Sequence, residues 1–396
     1  MKEKVVLAFS GGLDTSFCVP YLTEEKGLEV HTIMVNTGGF SPEEELRIQQ
    51  RALELGAASH VNINLVEEYY QKGIKYLLFG NILKNSTYPL SVSSERIFQA
   101  MAVLDHVKKL DAAYVAHGST GAGNDQVRFD LVFEVMAPAV KVLAPIRELS
   151  LTRMEEINYL QGKGLNFSWE KAKYSINQGL WGTSIGGVET LSSCGVLPED
   201  AYPSQISLTE PVRIKIGFEK GEPVALNGKR DNPVEIIMQI NELGGKYGVG
   251  RDMHVGDTII GIKGRVGFEA PAPLILVKGH HLLEKHTLTK SQLYWKEQLA
   301  GWYGQLMHEA QYLDPLMRNI EVFMGDTQKY VTGVVEAELR PYHFAILGCE
   351  TPYDLMSSKF GEYGEANKSF TGQDVIGFTK VLANPLKIYY SVHKDD

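Results

Sequence analysis

The chain has 396 residues, more than one ordinary core accommodates, so two domains and an extra terminal element are expected. Its composition is that of a globular protein, 44% hydrophobic and 22% charged, and a formal net charge of -9 argues against a duplex nucleic-acid binder while leaving room for a local basic pocket. Cys18, Cys194 and Cys349 lie far apart with no CxxC pair, which counts against zinc-ribbon or thioredoxin-like chemistry and suits a reducing compartment.

Residues 4–9 form a nearly all-apolar run bounded by glycine, the pattern of a buried parallel strand. That run is too short for a signal-peptide core, and no stretch approaches the roughly 18 apolar residues of a membrane span, so a cytoplasmic protein is expected. A helix follows over 14–26, with Pro20 expected to kink or shorten it and Gly27 to stop it. Further on, 29–36 reads as a strand, 42–56 as a helix, 60–65 as a strand, 97–110 as a helix and 112–117 as a strand. Such alternation predicts an α/β fold, a doubly wound parallel-sheet nucleotide-binding domain.

The texture changes in the second part of the chain. Short strands are predicted at 212–218, 224–226, 259–266, 328–339 and 344–349, with helices at 234–247 and 289–309. This is an α+β domain, followed by a helical tail that carries Val375, Ile376, Phe378, Val381 and Leu382. The expected division is 1–165, 166–365 and 366–396.

The most informative stretch is Ser10-Gly11-Gly12-Leu13-Asp14-Thr15-Ser16, set between the first strand and the first helix. Two glycines let successive N–H groups converge on an anion, the helix N-terminus adds partial positive charge, and three hydroxyls add donors. No GxxxxGK[ST] occurs, so the lysine that grips β- and γ-phosphates is missing. Such a loop fits release of pyrophosphate as a unit. Asp14 is unusual in an anion site; it acts either through Mg²⁺ on the phosphates or by holding the loop's own N–H groups. A second polar run, from His117 to Phe129, follows a predicted strand at the sheet's carboxyl edge. Asp125 is suited to an ammonium, Arg128 to a carboxylate, and Thr120 and Asn124 to hydrogen bonds. His117 either donates to a phosphate or holds the loop backbone, and the structural role is favoured. The His280-His281 pair with Glu284 superficially suggests a metal site but reads better as a solvated helix start, so no metal site is expected.

The SGGLDTS run resembles the pyrophosphate loop of the N-type ATP pyrophosphatases. The run from His117 to Phe129 resembles the aspartate- and citrulline-binding loop of one member of that group, the argininosuccinate synthase family. Tyr88, Ser93 and Arg96, the pair Tyr174-Ser175 with Ser184, Gly245 to Arg251, and Phe268-Glu269-Ala270-Pro271 extend the resemblance over nearly the whole chain. It implies ATP-dependent ligation of citrulline and aspartate through a citrullyl-adenylate, with release of AMP and pyrophosphate. It also implies Mg²⁺ accompanying ATP and a homotetramer assembled partly by the tail. The nucleotide site would comprise Ala8, Phe9, Ser10, Gly11, Gly12, Leu13, Asp14, Thr15, Ser16, Val35, His117 and Gly118. The amino-acid substrates would meet Tyr88, Ser93, Arg96, Thr120, Asn124, Asp125, Arg128, Ser175, Ser184 and Phe268, and Asp14 and Asp125 are the catalytic candidates.

The chain departs from the family pattern on one side of the pocket. Gly256-Asp257 stands where the family has Glu-Asn, Phe268 where it has Tyr, Ile185-Gly186 where it has Tyr-Glu, and Asn177-Gln178 where it has Asp-Glu. Carboxylates are thus missing near citrulline's backbone end, which raises an alternative: an N-acylated citrulline, using space left open by Gly256 and Gly186. A tRNA-modifying ATPase of the same loop group is a further alternative, which the acidic pI and scattered cysteines disfavour.

Overall fold

Strand β1 (Lys4–Ala8) lies at the centre of a parallel sheet because its side chains are apolar on both faces. Val5 and Leu7 belong to one hydrophobic cluster and Val6 to another, so the sheet is buried on both sides. The computed structural model describes residues 2–165, 167, 174–357 and 369–393. The expected boundaries at 165/166 and 365/366 fall on positions outside the described residues. Around β1 the sheet runs β3-β2-β1-β4-β5, with β2 (Glu29–Asn36), β3 (Ser59–Asn64), β4 (Tyr114–Ala116) and β5 (Lys141–Leu143), every pairing parallel. The strand order reverses between β1 and β4. The loops leaving these two strands therefore flank a crevice at the sheet's carboxyl edge, where ligands bind in such folds.

Helix α1 (Leu13–Pro20) is shorter than the expected 14–26: beyond Pro20 the backbone widens into a π-type turn, Tyr21–Glu25. Proline has no N–H to give the ladder. Gly27 ends the run at φ +67, a conformation that favours glycine. Helix α2 (Pro42–Glu54) begins on a reciprocal cap between Ser41 and Glu44. Helix α3 (Ser91–Leu110) starts six residues before the expected 97, because hydroxyls mask its first turn in the sequence: Ser93 and Ser94 both donate back to the Leu90 carbonyl. Helices α4 (Asp125–Met136) and α5 (Arg153–Gly162) complete what the site needs from this part.

Two antiparallel sheets follow. One, ordered β11-β12-β7-β6, contains β6 (Ser175–Gly179), β7 (Gly182–Gly186), β11 (Arg251–Asp257) and β12 (Lys263–Glu269). The other, ordered β10-β9-β8-β13-β14, contains β8 (Val212–Glu219), β9 (Glu222–Leu226), β10 (Lys229–Arg230), β13 (Gly333–Arg340) and β14 (His343–Glu350). The strand expected at 259–266 is instead the turn and the first half of β12. Thr258 closes the turn by accepting from Ile262 N and donating to its carbonyl, and Gly261 takes φ +84. Similarly, the strand expected from 328 begins at Gly333, after a 3-10 turn at Gln328–Tyr330 of which only Gln328 is buried.

Helix α6 (Pro233–Gly245) and helix α7 (Pro271–Thr287) pack together, and helix α8 (Lys290–His308) follows. The solvated helix start expected at His280 is in fact the interior of α7: His280, Glu284 and Lys296 are all fully buried. Glu284 accepts from Lys296 Nζ at 2.8 Å, Gln328 Nε2 at 2.8 Å and Asn81 Nδ2 at 2.6 Å, so its charge is matched inside the core. In the tail, helices α9 (Gly372–Leu382) and α10 (Asn384–Val392) contain no buried residue. No helix among the described residues is long and apolar enough to cross a membrane.

Candidate active site

The loop leaving β1 curls because Gly11 takes φ +73 beneath Ile48, where a Cβ would come within 3.0 Å of the Ile48 side chain. Gly12 is the residue before α1 and provides no side-chain cap. The first N–H groups of α1 therefore face the crevice without a capping partner, and this is the local structure of an anion cradle. Thr15 Oγ1 donates to the Gly12 carbonyl at 3.3 Å, and Arg51 Nη1 fixes the Gly11 carbonyl at 2.6 Å. Ser16 Oγ is buried without a hydrogen-bond partner among the described residues. Asp14 faces Glu156 of α5. Burial raises both carboxyls, and the neighbouring Asp14 charge helps carry Glu156 to about 8.

The loop leaving β4 packs directly on the first. A Cβ on Gly118 would lie 2.9 Å from Thr15 Cγ2 and 3.1 Å from Thr15 N. Both His117 ring nitrogens are engaged within the protein: Ser119 N donates to Nδ1 at 3.2 Å, and Nε2 meets Asp130 Oδ1 at 3.0 Å. Farther along, Thr120 is exposed, while Asn124 Oδ1 accepts from Ile259 N at 2.8 Å, tying this loop to the β11–β12 turn.

Asp125 opens α4 as the centre of a charged hub. It accepts from Arg96 Nε at 3.0 Å and from Arg128 Nη1 at 2.9 Å. Burial alone would raise this carboxyl, but the two guanidiniums outweigh it and hold Asp125 below the usual carboxylate range. Arg128 is itself buried and donates to the His308 carbonyl at the end of α8. Arg96 also reaches Glu95 Oε1 at 3.0 Å and Asn177 Oδ1 of β6 at 2.8 Å. Glu95, buried and accepting from Thr37 Oγ1 at 2.7 Å, is pushed by burial up to about 7, against the opposing pull of Arg96.

Asn177 links this hub to the β6–β7–β12 sheet, where further sequence-identified residues lie. Asn177 stands opposite Ser184, and Ser184 opposite Phe268, so the three share one face of the β6–β7–β12 sheet. Ser175, two residues before Asn177, is exposed on that face, whereas Phe268 is fully buried with its ring 5.5 Å from Tyr88. Tyr88 is buried and its hydroxyl accepts from Ser91 Oγ at 3.1 Å and Val92 N at 3.2 Å, while Ser93 Oγ donates to Leu90 O. The space expected beside Gly256 is not open: a Cβ there would meet His254 Nε2 at 2.7 Å and Asn85 Nδ2 at 3.3 Å. Sequence reading missed Glu95, His254 and His308. Glu95 adjoins Arg96, but only the helix register shows that it points into the junction, and no local signal marks the two histidines.

A parallel sheet with a lysine-free, uncapped loop at its switch point and a charged hub opening the helix after the neighbouring loop fits the class of nucleotide-dependent enzymes. A family model for the argininosuccinate synthase N-terminal HUP domain matches residues 4–166, and the model for that family's C-terminal domain matches residues 174–389. The chain is 38% identical over 387 residues to the argininosuccinate synthase of Methanocaldococcus jannaschii, covering 96% of each chain. It is 36% identical over 404 residues to that of Xanthomonas campestris, covering 99% of each. This chain belongs to the argininosuccinate synthase family and is an ATP-using ligase.

Proposed function

We propose that the chain joins citrulline to aspartate, with residues 1–165 holding ATP as its magnesium complex and residues 166–365 completing the amino-acid pocket. What carries this reading is the uncapped, lysine-free loop at Gly11–Gly12, packed against the loop after β4 at Gly118, with the Arg96–Asp125–Arg128 hub opening the helix that follows that second loop. The ureido oxygen attacks the α-phosphorus, the bond to the bridging oxygen breaks, and pyrophosphate leaves into the loop. The amino nitrogen of aspartate then attacks the ureido carbon, and AMP departs with the ureido oxygen. Asp125, an anion between two guanidiniums, is better suited to positioning them than to taking a proton. Catalysis therefore rests on orientation and charge neutralisation.

The test is AMP and pyrophosphate formation with purified protein. Turnover should require ATP, citrulline and aspartate together, with no RNA added. Free citrulline should exceed N-acetyl- and N-succinyl-citrulline by tenfold or more in kcat/KM, since His254 and Asn85 occupy the room beside Gly256. A reversed preference would establish the acylated substrate instead. The exposed apolar faces of α9 and α10, including Phe378 and Leu382, support assembly of a homotetramer through residues 366–396. Light scattering on a chain ending near 370 should show a lower mass. The expected location is the cytoplasm.

A further inference from the structure

His254 lies in the middle of β11 on its inward side, in a strand whose burial alternates from Met253 to Asp257. Its ring stacks on Tyr88, with centroids 5.1 Å apart and planes 27° from parallel. Tyr88 in turn meets Phe268 edge-on, so His254, Tyr88 and Phe268 form one wall. The resemblance drawn from sequence assigns the last two of these to the ureido substrate. Gly256 is what admits the imidazole, because any side chain there would displace it.

The ring is 6% exposed, and among the described residues neither of its nitrogens has a hydrogen-bond partner; Nδ1 is sealed from solvent. His31, His60, His117 and His280 each use both nitrogens, whereas His106, His281 and His308 also leave Nε2 without a hydrogen-bond partner among the described residues; of these three and His254, His254 is the one stacked on Tyr88. Nδ1 is out of reach of a ligand in this conformation, so Nε2, to which no hydrogen bond is made among the described residues, is the nitrogen left for an occupant. The charges around it are already distributed. Lys84 donates to Gln305, Arg128 is bound to Asp125 and His308, and Asp257 pairs with Lys263 at 2.7 Å. Burial, and secondarily Lys84, lower the basicity of His254, so the ring is neutral near pH 7, with one N–H and one lone pair.

We propose that His254 is a substrate-binding residue that hydrogen-bonds the non-reacting, amino-acid end of the ureido substrate. The ureido end must reach the phosphate held by the loop after β1. His254 belongs to the β11–β12–β7–β6 sheet and is placed to meet the other end. This rests on the citrulline reading above.

The discriminating pair of variants is H254F and H254Q. Phenylalanine keeps the flat ring over Tyr88 but cannot hydrogen-bond, while glutamine keeps a donor and an acceptor. H254F should raise KM for citrulline roughly tenfold, with kcat, KM for ATP and KM for aspartate close to wild type. H254Q should recover most of the loss. A thermal melt matching wild type confirms that H254F is folded; if it is not, citrulline binding to H254Q and H254A by calorimetry decides, glutamine binding tighter than alanine. Unchanged citrulline KM in folded H254F, or an equal rise in KM for ATP, overturns the inference. Wild-type protein that turns over no citrulline would instead overturn the functional reading itself.

Discussion

The two sides of the site are made from different materials. On the side we propose for the nucleotide the cradle is main chain from a single run, residues 10–16, shaped by the φ of Gly11 and the bare start of α1. On the side we propose for the ureido substrate nothing is contiguous: Tyr88, Arg96, Asp125, Asn177, His254 and His308 come from separate elements. A main-chain cradle depends on open space and backbone dihedrals. A side-chain cluster depends on every charge keeping its counterpart. The first should fail by being filled, with the fold untouched; the second should fail by losing a partner, at the expense of stability as well as activity.

Gly12→Val should produce the largest effect. Gly12 has φ -72, which any residue adopts, and a Cβ would find Ser10 Oγ at an ordinary 3.5 Å. The added side chain fills the cradle without straining the chain, so ATP affinity should fall roughly a hundredfold or more, about 2.7 kcal/mol. The melting temperature should stay near wild type. Calorimetric titration showing wild-type ATP affinity would remove the cradle from the mechanism. Gly11 would be a poor choice for this test, because its positive φ and the Ile48 contact confound strain with function.

Asp125→Asn comes next. The substitution keeps the shape but leaves Arg96 and Arg128 without their shared carboxylate. A hydrogen bond to a charged group contributes about 1.5–3 kcal/mol, so kcat/KM for citrulline should fall roughly ten- to a hundredfold. The melting temperature should drop while ATP affinity holds. Should Asp125→Asn melt and turn over like wild type, the hub is not the coupled unit described above.

The smallest effect is one of pH. Glu95 has a folded pKa of about 7 against an ordinary 4.5, so the folded chain holds a proton that the unfolded chain has released. Stability from this group is therefore present at low pH and lost as pH rises from about 4.5 through about 7. Glu95→Gln cannot titrate. Its melting temperature relative to wild type should move in its favour between pH 5 and pH 8, by a few degrees at most. A difference that does not vary with pH would show that Glu95 is ionised throughout.

This contrast also explains what was legible in the sequence. The parallel sheet could be read from β1 and β2, whose apolar runs are continuous because both faces are buried. The glycine turn between β1 and α1 could be read because its seven residues are adjacent. The first turn of α3 could not, since Ser91, Ser93 and Ser94 look polar until Ser93 and Ser94 fold back on the Leu90 carbonyl and Ser91 donates to the Tyr88 hydroxyl. Nor could the burial of His280, because Lys296 and Gln328, which help to make it tolerable, arrive from elsewhere in the chain. His254 was invisible for the same reason. Its significance rests on Tyr88, and on the absence of a side chain two residues along at Gly256.

Gly39, in the turn after β2, lies against the β6–β7 hairpin so closely that a Cβ there would sit 1.9 Å from the Gln178 carbonyl oxygen. Beside it, Leu180 N donates to the Thr37 carbonyl at 2.9 Å. At Gly39 the parallel sheet and the hairpin thus meet backbone to backbone, a contact no rotamer change can relieve. Bulk introduced at residue 38 or 39 would therefore force the parallel sheet and the hairpin apart.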